Sequence, residues 1–148
     1  MDYRHTQFGP PLLRFGVLAF LIAIGVISAV TGSWEGVAIV AVAGLIVGAA
    51  MFVFSRFTVQ VTDDALIASF GWGWPRRVLR WEEASAVRAV RNSWWYGFGI
   101  RWFPGGILWN VWTLDAVEFD LVKGSKLRIG TDEPEKLMRA LFGKVANG

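Results

Sequence analysis

The chain contains no cysteine and a single histidine, His5. Disulfides and thiolate-bound metals are therefore excluded, which fits a domain kept in a reducing cytosol. Nucleophile–base catalysis has little material, since His5 falls in a short polar leader where a solvated histidine is expected. Proline is sparse, at five residues. Charge is missing from two long stretches: Arg14 is the only charged residue in 12–30, and none lies between Glu35 and Arg56.

What fills those stretches is apolar. At about 1.5 Å per residue, 12–30 makes a helix of roughly 28 Å, against a bilayer hydrocarbon core of about 30 Å. Residues 37–54 form a second such run, lengthened by Trp34 and Gly36, and 31–36 link the two. This pattern predicts a transmembrane helical hairpin over 12–55. A signal peptide has a shorter apolar core and no second span behind it. Arg14 lies near an end, where it can snorkel to the interface. Arg4 and Arg14 precede the first run and Arg56 follows the second, while the link carries only Glu35. Both termini are therefore expected in the cytoplasm. Gly25 with Ala29, and Gly44 with Gly48, are small-residue pairs that let helix backbones approach closely. They either pack the hairpin on itself, the favoured role, or join two protomers.

Residues 1–11 read as a disordered or interfacial cytoplasmic leader ended by Pro10 and Pro11. Residues 56–148 suffice for one core and carry β signals almost throughout. Phe57, Val59 and Val61 alternate with polar neighbours, Asp63 and Asp64 turn the chain, and 65–70 return. The aspartates are ordinary turn residues, preferred over a metal or acid/base reading. After a turn at 71–75, strands are predicted near 76–81, 85–91, 98–103 and 107–113. Further on, Val117, Phe119 and Leu121 alternate with acids, and Leu127 and Ile129 with bases. Placing both apolar sets on one face pairs Phe119 with Leu127 through a three-residue loop ending at Gly124. Asp120 then faces Lys126 and Glu118 faces Arg128, expected as exposed ion pairs rather than an acid/base cluster. The run TDEPE (131–135) opens a helix with Asp132 as cap, Glu135 reaching back and Pro134 in the first turn. Leu137 and Leu141 form its apolar stripe and Gly143 its stop.

Two groups of residues are candidates for binding. Arg76, Arg77, Arg80, Arg88 and Arg91 recur along two strands, as a basic face toward anionic lipid contributing about 1 kcal/mol per arginine. The alternative is a solvated face of mixed charge, given Glu82 and Glu83 nearby. No recognition helix or RNA-binding motif accompanies these arginines, so no nucleic-acid partner is expected. From Trp94 to Trp112 the chain turns aromatic, with glycines interleaved. Those rings have three competing uses: filling a small β core, sitting at headgroup level beside a bilayer, or lining a groove for a peptide or apolar ligand. Trp94 and Trp95 are adjacent, so in a strand they face opposite ways and at least one is exposed. With Arg101 and Trp102 they complete the lipid- or partner-binding set. No catalytic residue, metal ligand or cofactor is expected.

The segments Gly99-Ile100-Arg101, Pro104-Gly105-Gly106, Asn110-Val111, Ala116-Val117-Glu118 and, most specifically, LRIGTDEPEKL (127–137) resemble the bacterial pleckstrin-homology-like (PH-like) domains that follow a pair of transmembrane helices in small membrane proteins. The resemblance covers roughly 56–143. It implies an α+β membrane protein in which the hairpin precedes a mainly antiparallel β barrel of about seven strands, its open end capped by the C-terminal helix. It implies no enzymatic activity. The expected function is a membrane-anchored, non-enzymatic binding or assembly module at the cytoplasmic face of a bacterial cell (inner) membrane. Its partners would be membrane lipids, a protein or further copies of itself. The alternative is an oligomeric small transport or channel subunit, for which the spans offer no charge beyond Arg14 to mark a pathway.

Overall fold

A computed structural model describes residues 3–145. The first two residues of the expected leader and the last three of the expected β domain lie outside the described residues. The fold is α+β, and the chain divides into two compact units, Pro10–Val53 and Met1–Gly9 with Phe54–Gly148.

The first unit is two helices, α1 (Pro11–Val30) and α2 (Trp34–Val53), each 20 residues and about 30 Å long. Neither buries a residue, and both are long and apolar enough to cross a membrane. The connection is tight because Gly32 takes a left-handed φ of 75°. Its N–H donates to the Ala29 carbonyl at 3.1 Å while that of Ser33 donates to Ser28 at 2.9 Å, closing α1 in a Schellman motif. Ser33 Oγ then accepts from the Gly36 N–H at 3.2 Å and caps α2. Gly25 lies at the helix–helix contact, where an added Cβ would meet Val40 at 3.6 Å. A Cβ at Gly44 or Gly48 would meet nothing within 4 Å, and Ala29 is exposed, so these three stand away from that contact.

In the second unit, β1 (Tyr3–Phe8) occupies the residues expected to be a disordered or interfacial leader. It pairs antiparallel with β2 (Arg56–Val61), from Tyr3 opposite Val61 to Phe8 opposite Arg56. Its alternate side chains are Tyr3, His5 and Gln7, which show no apolar periodicity, and the last two meet polar groups. Gln7 Nε2 donates to the Gly130 carbonyl at 2.6 Å, and His5 Nε2 lies 2.6 Å from Asp132. His5 is thus half-buried in a strand, not solvated in a tail. That contact also occupies Asp132, so the helix α3 (Pro134–Leu141) begins instead at Glu133 without a side-chain cap, and Thr131 Oγ1 accepts from the Glu133 N–H at 3.1 Å.

β1 and β2 continue through β3 (Ala65–Phe70) and β4 (Arg76–Arg80) as one antiparallel sheet. The second sheet holds β5 (Ala84–Arg91), β6 (Gly99–Phe103), β7 (Gly106–Asn110), β8 (Asp115–Leu121) and β9 (Lys126–Gly130) in the order β5-β8-β9-β7-β6. The described strands number nine rather than about seven, and β7 and β9 run parallel. Phe119 pairs with Leu127, Asp120 with Lys126 and Glu118 with Arg128, as the alternation predicts, and Gly124 takes a φ of 85° in the loop. Phe57, Val59, Val61 and Phe70 are buried on the first sheet, Val117, Phe119 and Ile129 on the second, and the rings of Phe70 and Trp109 stack at 5.7 Å. Leu137 and Leu141 bury the inner face of α3, which packs on β8 and β5.

Two consequences can be measured. A soluble fragment beginning at Arg56 exposes the β2 edge, whereas residues 3–9 joined by a short flexible linker to residue 54 keep it paired. The fragment without β1 is expected to melt more than about 10 °C lower and to aggregate, since ~1 kcal/mol moves the midpoint of such a domain by roughly 4–8 °C. Gly106→Ala would place a Cβ 2.0 Å from the Lys126 carbonyl oxygen, so chemical denaturation should show a loss of about 3 kcal/mol.

Candidate functional site

At one end of the β unit the chain leaves at Gly9 and returns at Ser55. There the Gly9 N–H donates to the Ser55 carbonyl at 3.0 Å. The β3–β4 turn is tied to the same end: the Gly71 N–H donates to Arg56 O at 2.9 Å, and Arg56 Nε donates back to Gly71 O at 2.8 Å. The Arg56 guanidinium carbon lies 3.9 Å from the centre of the Trp72 ring, a cation–π contact that fixes both side chains. Gly73, at φ 115°, lets the turn present a tryptophan on each side of it. Trp72 is 79% exposed and Trp74 75%. Phe8, opposite Arg56 on β1, is exposed at the same end.

On the outer face of the first sheet, Thr6, Thr58 and Ser69 lie abreast across β1, β2 and β3. Thr6 and Thr58 share a hydrogen bond of 2.8 Å between their hydroxyls. Arg4 lies two residues to one side of Thr6 along β1, and Arg56 two residues to the other side of Thr58 along β2.

The second sheet carries a different arrangement. Arg88, Glu118, Arg128, Leu108 and Arg101 stand in one row across all five strands. Glu118, between Arg88 and Arg128, is only 2% exposed, so the expected exposed ion pair is instead a buried carboxylate. It accepts hydrogen bonds from Arg128 Nε at 2.5 Å, from Lys126 Nζ at 3.2 Å and from Arg88. Burial pushes its pKa up, but the hydrogen bonds from Arg128, Arg88 and Lys126 outweigh burial and hold it at about 2. The cover comes from the segment after β5. Arg128 Nη1 donates to Asn92 Oδ1 at 3.0 Å, and its guanidinium sits 4.2 Å from the centre of the Phe103 ring, which is itself buried.

These contacts distribute the sequence candidates. Arg76, Arg77 and Arg80 lie exposed on β4, an edge of the first sheet. Arg88 is engaged by Glu118 and Asp120, which raise its pKa through hydrogen bonds, and Arg91 lies 3.3 Å from Asp115. Arg101 Nε donates to the Phe98 carbonyl at 2.9 Å. Trp94 and Trp95 sit in a short 3-10 turn rather than a strand, so both are exposed, their ring centres 5.4 Å apart. Trp102 is 81% exposed on the edge strand β6, whereas Trp109 and Phe103 are buried. The candidates thus divide between two sheets and form no single cluster. Sequence reasoning missed Arg4, Arg56, Trp72 and Trp74. The spacing of Trp72 and Trp74 around Gly73 was the available signal, and Arg4 was hidden by the assignment of its strand to a leader.

Among the described residues no group of His, Cys, Asp or Glu could hold a metal ion. Comparisons with family models, curated proteins and solved structures return no match.

The Glu118 carboxyl titrates lower in the fold than in an unfolded chain, where a glutamate has a pKa of about 4.3. Its contribution is therefore fully present above about pH 4.3 and lost as pH falls toward 2, on the order of 3 kcal/mol in all. Denaturation of wild type between pH 7 and pH 2.5 should show this loss, and Glu118→Gln should both destabilise the fold at pH 7 and flatten the acid limb.

Proposed function

We propose that this chain is a membrane-anchored, non-enzymatic binding module whose β unit meets lipid headgroups through the end bearing Trp72 and Trp74. In this reading α1 and α2 cross a bacterial cell membrane as a hairpin, both chain termini are cytoplasmic, and the β unit is a PH-like domain. The carrying observation is the exposure of Trp72 and Trp74 at the end where the chain passes to and from the apolar helices. Only Gly9 and Pro10 separate β1 from α1, and only Phe54 and Ser55 separate α2 from β2. Such short connections support a contact between that end and lipid headgroups.

Tryptophan is suited to that level, since its ring is apolar and its N–H is satisfied by water or headgroups. Pairing of β1 with β2 supports a hairpin that crosses and returns, because both its ends must lie on one side. The arginine balance supports the cytoplasm as that side. Two sheets followed by a single terminal helix support the PH-like reading. The exposed Trp94, Trp95, Trp102 and Arg101 favour a second contact, with a protein partner or another copy, at the other sheet.

The membrane reading is tested with the full-length protein in nanodiscs containing lipids brominated near the headgroup, which quench nearby tryptophans. Trp72→Ala with Trp74→Ala should reduce the quenched share of the fluorescence relative to wild type, while Trp94→Ala with Trp95→Ala should not. An unchanged quenched share in the first variant would count against the reading.

A further inference from the structure

The outer face of the first sheet forms a shallow basin of about 420 Å³, within the range of small-ligand sites and large enough for a phosphate with a small polar substituent. Arg4 and Arg56 stand on either side of the hydroxyl row of Thr6, Thr58 and Ser69, and Trp72 forms one wall. No acidic residue lines it among the described residues. Every arginine in the charged row of β5, β8 and β9 has a carboxylate partner, yet neither Arg4 nor Arg56 is in an ion pair among the described residues.

We propose that this basin binds a phosphate group. The chemistry of the lining selects a tetrahedral oxyanion. Guanidinium groups donate charge-assisted, forked hydrogen bonds, and hydroxyls rotate to donate to the remaining oxygens. Arg56 is preorganised for this, because its Nε is committed to the Gly71 carbonyl at 2.8 Å and its plane lies over Trp72, leaving the terminal nitrogens for a ligand. β1 supplies Arg4 and Thr6, so the basin is complete only when the strand preceding α1 pairs with β2. The basin is open to one side, so a substituent on the phosphate can extend out of it. An anionic lipid headgroup satisfies that description, and so does a free phosphate or phosphomonoester. The proposal rests on the membrane reading only for the choice between these sources.

The test uses isotope-labelled full-length protein in phosphatidylcholine nanodiscs, following the Trp72 indole N–H resonance, assigned with Trp72→Phe. Titration with inorganic phosphate should move this resonance saturably. Arg4→Gln, an exposed position that spares the fold, and Arg56→Lys should each weaken the apparent affinity by about tenfold, the loss of one charge-assisted hydrogen bond. Lys123→Gln, which removes a charge from the β8–β9 loop, should leave it unchanged. In nanodiscs containing phosphatidic acid, a resonance already shifted and no longer responsive to phosphate identifies the headgroup as the ligand. A response to soluble phosphate without one to phosphatidic acid assigns the basin to a soluble ligand and leaves the membrane reading to the tryptophan test. If neither probe moves Trp72, or if the arginine variants titrate as wild type does, the proposal is overturned.

Discussion

The pairing of β1 with β2 is the constraint on which the rest of the structure depends. A strand made before the two apolar helices lies against one made after them, in register over six residues. That pairing holds Gly9 beside Ser55, so the hairpin has its entry and exit at one place. It also fixes the segment leading into α3, because Gln7 binds the Gly130 carbonyl and His5 holds Asp132. The outer face gains Arg4 and Thr6 from the same strand. Ladder hydrogen bonds, the approach to the terminal helix and the basic basin therefore share one element of six residues.

Electrostatics divide the two sheets by purpose. On the second, burial of Glu118 is tolerable because three cations surround it, and removing them would leave a buried carboxylate uncompensated. Those cations are consumed in holding the fold. On the first sheet the arginines flanking the hydroxyl row have no carboxylate partner among the described residues, which leaves that face with a positive field. An arginine count along the chain does not distinguish these two situations.

Much of the β unit was legible because its signals are local. The β8–β9 hairpin follows from strict alternation on both strands and a glycine at the one position needing a left-handed φ. The apolar helices follow from length and missing charge. β1 was not legible, since His5 and Gln7 bond to polar groups more than a hundred residues away and the partner strand lies beyond both helices. The Asp132 cap failed for the same reason: His5 competes for that carboxylate. Burial of Glu118 depends on cover from Asn92, Arg128 and Phe103 that alternation alone does not report. Exposure of tryptophan in 94–102 was legible in part, because two adjacent rings cannot both enter one core. The end bearing Trp72 and Trp74 passed as an ordinary turn.

The split sheet has a consequence for biogenesis. β1 leaves the ribosome before either helix and has no β2 to pair with until the chain has grown past Val61, so it waits through the synthesis of both helices. If one helix enters the bilayer and the other does not, β1 and β2 are left on opposite sides and the sheet has no way to close. Under the proposed membrane reading, completion of the β unit would then serve as a proofreading step for insertion: a chain threaded wrongly keeps an unpaired strand edge, the kind of surface that chaperones and proteases recognise.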